Sequence, residues 1–313
     1  MPRNKAYSKV EPAVQTMVFN IAVSTAAQFL DLSAAASVVN RRFYRQGLNW
    51  AVAGFTIIAP TNTAGEVTVS KLPNTWVVSN AWEKGFRAWR RQQDEALENG
   101  DQQSVKGRFN DFKIYADEDH FGTAAPHFLL PRDAGGNLFD APDEWLHSQV
   151  VVPNDLAAGP GATVEYVLKM MGADSTAGNC KSLIKAYADS RSVPQSPDPS
   201  TPGTASIGLY TTMFNVGNND TEVVANAEFR NDELPYNQDQ YPGSAGNAPD
   251  LELVNRIILN AGSTVAAKYT LAGSNFPCGI VKIKNDANAA FDLLVHLVPG
   301  NHRGYLAESM TEM

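Results

Sequence analysis

Apolar residues in this chain come in short runs, rich in β-branched and aromatic side chains and bounded by Gly, Pro, Asn or Asp. Such runs mark strands separated by turns. The pattern predicts strands at residues 14–23, 48–59, 65–71, 111–116, 126–130, 145–152, 163–171, 205–216, 221–230, 251–260, 264–271, 278–284 and 291–298. Some alternate cleanly. Val67 and Val69 are interleaved with Glu66, Thr68 and Ser70, and Val281 and Ile283 with Ile280, Lys282 and Lys284. Alternation implies one buried and one wetter face, as in an antiparallel sandwich. A parallel α/β chain would carry a helical pattern between most of its strands, and few such patterns are present.

Three segments do read as helices. Residues 32–43 are alanine-rich, with Asp31 or Ser33 as N-cap. Residues 79–99 set Trp82, Phe86 and Trp89 at i, i+4 and i+7, with Leu97 extending the stripe and Lys84, Arg87, Arg91 and Asp94 on other faces. Ser79 can cap its start, and Asn99-Gly100 suits its end. Residues 179–190 form a weaker third pattern. The stretch SVPQSPDPSTPG at 192–203 has four prolines and no apolar period, so it reads as an exposed connector between residues 12–191 and 204–313. Residues 235–250 read as a long polar surface loop, with Tyr236 and Tyr241 as exposed aromatics suited to subunit or receptor contact.

Composition narrows the function classes. The 313 residues suit one large domain or two smaller ones. Charged residues make up 19%, below the roughly 25% usual for soluble domains. A net charge of −8 argues against a dedicated nucleic-acid binder. Two cysteines, Cys180 and Cys278, exclude a disulfide scaffold. The N-terminus reads as lacking a secretory leader, because Gln28 and Asp31 break the apolar stretch that follows Arg3, Lys5 and Lys9. No run reaches the ~18 apolar residues that span a bilayer.

Candidate chemistry is sparse. His120, His127, His147, His296 and His302 show no helical zinc spacing, and no C-x-x-C exists. Asp117 and Asp119, in the acidic cluster before His120, are calcium candidates, though a solvated turn is the blander reading. Ser182-x-x-Lys185 matches a hydrolase pair in two residues only, with no G-x-S-x-G elbow. Glu165, Glu228 and Glu252 are the carboxylates for a sandwich hydrolase, each more simply a solvent-facing strand position. Arg41, Arg42 and Arg45 flank Phe43 and Tyr44, a combination that can grip single-stranded nucleic acid by stacking and phosphate contact. Its bland counterpart is a helix end complementing the macrodipole, and Arg87, Arg90 and Arg91 share that ambiguity. No catalytic residue, metal or cofactor is expected from these motifs.

Two stretches carry a resemblance. VNRRFYRQGLNWAVAGFTI (39–57), followed by VTVSKLPNTWVVSNAWEKGFRAWRRQQDEA (67–96), and the closing FDLLVHLVPGNHRGYLAESM (291–310) resemble capsid proteins of small tailless icosahedral DNA viruses and phages. The resemblance covers about a fifth of the chain and implies an all-β jelly-roll β-sandwich. Two stacked jelly rolls are favoured over one with long insertions, because eight strands make each. It further implies a structural, non-enzymatic role: self-assembly into trimeric or pentameric capsomers of a virion made in the host cytoplasm. Other virion proteins, a host receptor, an internal membrane or, indirectly, the genome would be its partners. The alternatives are a carbohydrate- or receptor-binding sandwich and, third, a carboxylate hydrolase.

Overall fold

A computed structural model describes residues 12–100, 111–123, 127–139, 145–153, 161, 163–175, 179–191, 221–222, 242–244, 246, 248–262 and 265–313. Its strands are β1 (Thr16–Ile21), β2 (Ser24–Asp31), β3 (Leu48–Ala59), β4 (Gly65–Lys71), β5 (Gln149–Pro153), β6 (Thr163–Lys169), β7 (Cys180–Ser182) and β8 (Glu252–Leu259). They continue with β9 (Ala267–Phe276), β10 (Ile280–Asn285), β11 (Phe291–Leu297), β12 (Pro299–Gly300), β13 (Gly304–Tyr305) and β14 (Ala307–Ser309). The helices are α1 (Leu32–Asn40), α2 (Trp76–Asn99), α3 (Glu118–Gly122) and α4 (Leu183–Arg191).

One antiparallel sheet runs β1-β11-β3, with β9 along the other side of β3 and β14 at its start. A second runs β2-β10-β4-β8, also antiparallel. Successive strands alternate between them, except that β4 and β8 lie side by side. Their inward side chains share one core: Phe19, Leu293 and Ile57 in register on the first sheet, Val69 and Ile283 on the second. The strict burial alternation of β11 shows why its sequence reads so clearly as a half-buried strand. Twelve-residue β3 is apolar nearly throughout and largely buried, and β11 and β9 pair along its two edges. Gly273 of β9 lets that approach happen, since a Cβ there would lie 1.9 Å from the Val52 carbonyl oxygen.

A second core lies beyond the sheets. α2 lays Val77, Val78, Ala81, Trp82 and Trp89 against Phe112, Ile114, Leu168, Met170 and Leu183. A three-stranded sheet, β5-β6-β7, covers this region, with β6 and β7 parallel. β12 and β13 form a separate hairpin.

The all-β expectation, a jelly-roll sandwich doubled into two stacked units, is therefore overturned. Of the described residues, 25% are helical and 41% are in strands, spread over four separate sheets, a mixed α/β arrangement. Strands β8 to β11 extend the sheets that β1 to β4 begin, so they do not build a second sandwich. Two expected strands fail for local reasons. Residues 111–114 run as coil, because their amides and carbonyls are used by Gln46 and Ser148, and Tyr115 meets β6 only in an isolated bridge to Lys169. Residues 127–130 are likewise irregular. The connector at 192–203 and the loop tyrosines Tyr236 and Tyr241 lie outside the described residues.

Candidate functional site

The site is built on a buried polar network. Asp31 caps α1, its Oδ1 accepting from the Ser33 and Ala34 amides at 2.9 and 3.1 Å and from the Ser33 hydroxyl at 2.5 Å. Its Oδ2 accepts from Gln46 Nε2 at 3.2 Å and from Trp145 Nε1 at 3.1 Å. Burial pushes the Asp31 carboxyl above its ordinary range, and these hydrogen bonds draw it back. Gln46 then holds the 111–114 segment. It accepts from the Ile114 amide, donates to the Ile114 carbonyl, and gives its own backbone N–H to Asp111 Oδ1 at 3.1 Å.

This network sets one wall of a cavity of about 330 Å³. Phe43, Arg45 and Gly47 contribute from the stretch between α1 and β3, Leu48 from the start of β3, Trp82 and Phe86 from α2, and Asp111 and Phe112 from the segment just described. His302, Arg303 and Ser309 close it from the C-terminal end. The hairpin turn bearing Arg303 is tied down: the Arg303 carbonyl accepts from the Tyr44 hydroxyl at 2.9 Å, and its guanidinium donates to the Phe43 carbonyl. Tyr44, Trp50 and Tyr305 stand edge to face behind it, with centroids 5.4–5.8 Å apart. Trp82 and Phe86 stack at 5.0 Å and 13°, and Phe112 meets both at 6.0 Å. Gly47 is required at the floor, because a Cβ there would come within 2.4 Å of the Trp82 ring.

Among the described residues, two buried atoms of these side chains have no hydrogen-bond partner, Asp111 Oδ2 and Trp82 Nε1. Asp111 is 7% exposed, and the nearest cation, Lys113, stands 3.9 Å from Oδ2. Burial pushes its carboxyl up to about 6, against which Lys113 and the Gln46 amide pull only part of the way. Between the ordinary value of 3.8 and about 6, the folded protein keeps a proton that the unfolded chain has released. Asp111 thus costs stability as pH rises through that window, and the full penalty stands above it. Relative to the wild type, Asp111→Asn should gain up to about 3 kcal/mol between pH 4 and pH 7. Urea midpoints of both proteins across that range test this; a level difference would show that the carboxyl titrates at its ordinary value.

The remaining sequence candidates have other surroundings. Asp117 and Asp119 both pair with Lys282, at 2.6 and 2.7 Å, and Asp117 also caps α3 through the His120 amide. Among the described residues no group of His, Cys, Asp and Glu is arranged to hold a metal. Ser182 is fully buried and hydrogen-bonded to the Met170 carbonyl, while Lys185 turns to Asp189. Burial pushes the Cys180 thiol up to about 12 and the Cys278 thiol well above its usual value. Glu165 and Glu252 are exposed on different sheets, and Glu228 lies outside the described residues. His296 sits between the Thr16 and Thr56 hydroxyls. Arg87, Arg90 and Arg91 pair along α2 with Glu83, Asp94 and Glu95. Arg41 takes a left-handed conformation just past α1, and Arg42 is half-buried. Of the three arginines in that run, Arg45 is the one that lines the cavity.

A histidine cluster went unread in the sequence. His147 stacks on Tyr115 at 3.6 Å, and His120 on Phe29 at 4.2 Å, with His127 5.2 Å from His147. His120 Nδ1 accepts from the Ala116 amide, so its proton is on Nε2, which donates to the His127 carbonyl at 2.8 Å. Burial lowers His120 to about 3 and His147 to about 2. Both stay neutral, and His120 packs α3 against Phe29 of β2. No spacing signal links residues 115, 120, 127 and 147, since irregular backbone brings them together.

No protein family, curated protein or solved structure matches this chain. The resemblance to tailless-virus capsid proteins thus has no matched relative behind it. The doubled sandwich it implied is not the fold adopted, and the role of icosahedral shell subunit drawn from it is set aside.

Proposed function

We propose that the protein binds a small planar anion in the cavity between α2 and the α1–β3 stretch. The observation that carries this reading is a concave site lined both by the exposed guanidiniums of Arg45 and Arg303 and by the rings of Trp82, Phe86 and Phe112. The flat rings of Trp82, Phe86 and Phe112 suit a planar ligand, and Arg45 and Arg303 put exposed cations at the opening.

Titrating aromatic carboxylates and aromatic phosphates while following tryptophan fluorescence tests the proposal, because Trp82 forms part of the wall. Saturable quenching is expected. Arg45→Ala should weaken it about tenfold, the loss of about 1.4 kcal/mol that one charge-assisted contact supplies. Arg45 is exposed, so the variant keeps its fold. A panel without any saturable response would remove the reading.

A further inference from the structure

We infer that the side-chain amine of Lys71 and the side-chain carboxamide of Asn275 join in an isopeptide bond that ties the two large sheets together. Lys71 ends β4 on the parity of Val67 and Val69, the core-facing positions of that strand. A strand with one buried face normally carries an apolar residue at such a position; here it is a lysine, 6% exposed. Its Nζ crosses from the second sheet to β9 of the first, where it donates to Ser274 Oγ at 2.9 Å and to Asn275 Oδ1 at 3.0 Å. Glu252, its register partner on β8, sets a carboxylate oxygen 3.9 Å from the same nitrogen.

Together these side chains supply a nucleophile, an electrophile and a proton carrier. The Asn275 carbonyl oxygen accepts from Lys71 and also from Ser274 Oγ at 3.4 Å. Both donors draw electrons from Cγ and would hold the negative charge of a tetrahedral intermediate. Cγ lies one C=O bond, about 1.2 Å, from that oxygen, so turning the carboxamide brings it to Nζ without moving a strand. An ammonium has no lone pair, so Glu252 first takes a proton from Nζ. The freed amine attacks Cγ, and the N–C bond forms. Glu252 then returns its proton to Nδ2, and the Cγ–Nδ2 bond breaks. The proton still in excess on Nζ goes to the ammonia released, which leaves as ammonium past the exposed side chain of Glu252. An ammonium and a carboxamide enter; a secondary amide and an ammonium ion result, and no oxidant or other reactant takes part. The bond would bridge 204 residues of chain and link β4 to β9, two strands that share no ladder.

Intact-mass spectrometry of the denatured full-length protein tests this. The expected mass is about 17 Da below that of the sequence, one ammonia lost in the modification. Lys71→Arg, which keeps the charge, and Asn275→Ala should each show their full sequence mass. A succinimide at any asparagine loses the same mass, so the tryptic digest decides between them: a branched peptide joining the segments that hold Lys71 and Asn275 supports the inference. Freshly purified Glu252→Gln should remain at full mass, because losing one positioned proton carrier slows such a step about a hundredfold. Loss of ammonia from that variant as fast as from the wild type would overturn the proton-carrier role. Wild-type protein that holds its full mass through prolonged incubation at neutral pH overturns the inference, as does a deficit that persists in Lys71→Arg. If a variant does not fold, the wild-type mass and the branched peptide decide alone.

Discussion

Trp89→Ala is expected to lower the unfolding free energy by about 3–5 kcal/mol and to reduce the yield of soluble protein. Trp89 is 8% exposed and packs on Phe112 at 5.6 Å and Phe86 at 6.3 Å. It is the last buried residue of α2, whose remaining residues are half-buried or exposed. Beyond it the helix is supported by pairs such as Arg91–Glu95, which contribute only tenths of a kcal/mol. Removing the indole therefore leaves a void and unfastens the exposed half of the helix. Urea unfolding followed by circular dichroism measures the loss. A change below about 1 kcal/mol would mean that the α2 stripe does not hold this helix down.

Asp31→Ala is expected to destabilise by a similar amount, about 3–5 kcal/mol. Losing a cap costs about 1 kcal/mol, and each buried donor left without an acceptor costs about 1–3 kcal/mol more. The donors at stake are the amides of Ser33 and Ala34, the Ser33 hydroxyl, Gln46 Nε2 and Trp145 Nε1. Gln46 is the only one that also holds Asp111 and Ile114, so ligand affinity should fall along with stability. Asp31→Asn keeps the shape but points an amide N–H at donors, and should recover only part of the loss. Thermal melts of both variants alongside the fluorescence titration test this. An Asp31→Ala protein as stable as the wild type would show that the network is not what fixes the cavity wall.

Regular elements were legible wherever burial was periodic. β3, β4, β10 and β11 fall where alternating or continuous apolar runs place them, and α1 begins at its Asp31 cap. α2 starts at Trp76 under a Thr75 cap, three residues ahead of its expected Ser79 start, because Val77 and Val78 belong to its buried face and not to a preceding strand. β2 was missed because Ser24 to Gln28 lie on an edge with little burial. The doubled sandwich was inferred from a strand count that included coil at 111–114, and from a resemblance without a matched relative. The cavity was legible only in fragments. Arg45 and the Trp82–Phe86 pair drew notice, but Asp111 gave no signal, since its singularity is a missing hydrogen bond. Gln46, the residue that assembles the wall, is an ordinary glutamine until three partners from distant segments converge on it.

The pairing of β1 with β11 joins Thr16 to His296, and β2 with β10 joins Asp31 to Ile280. Both large sheets therefore join strands more than 240 residues apart in sequence. During synthesis neither can close until β10 and β11 have left the ribosome, so the earlier strands emerge with apolar faces uncovered. Such long-range closure makes folding slow and late. Loss of β11 would leave β1 without its partner and uncover one side of β3.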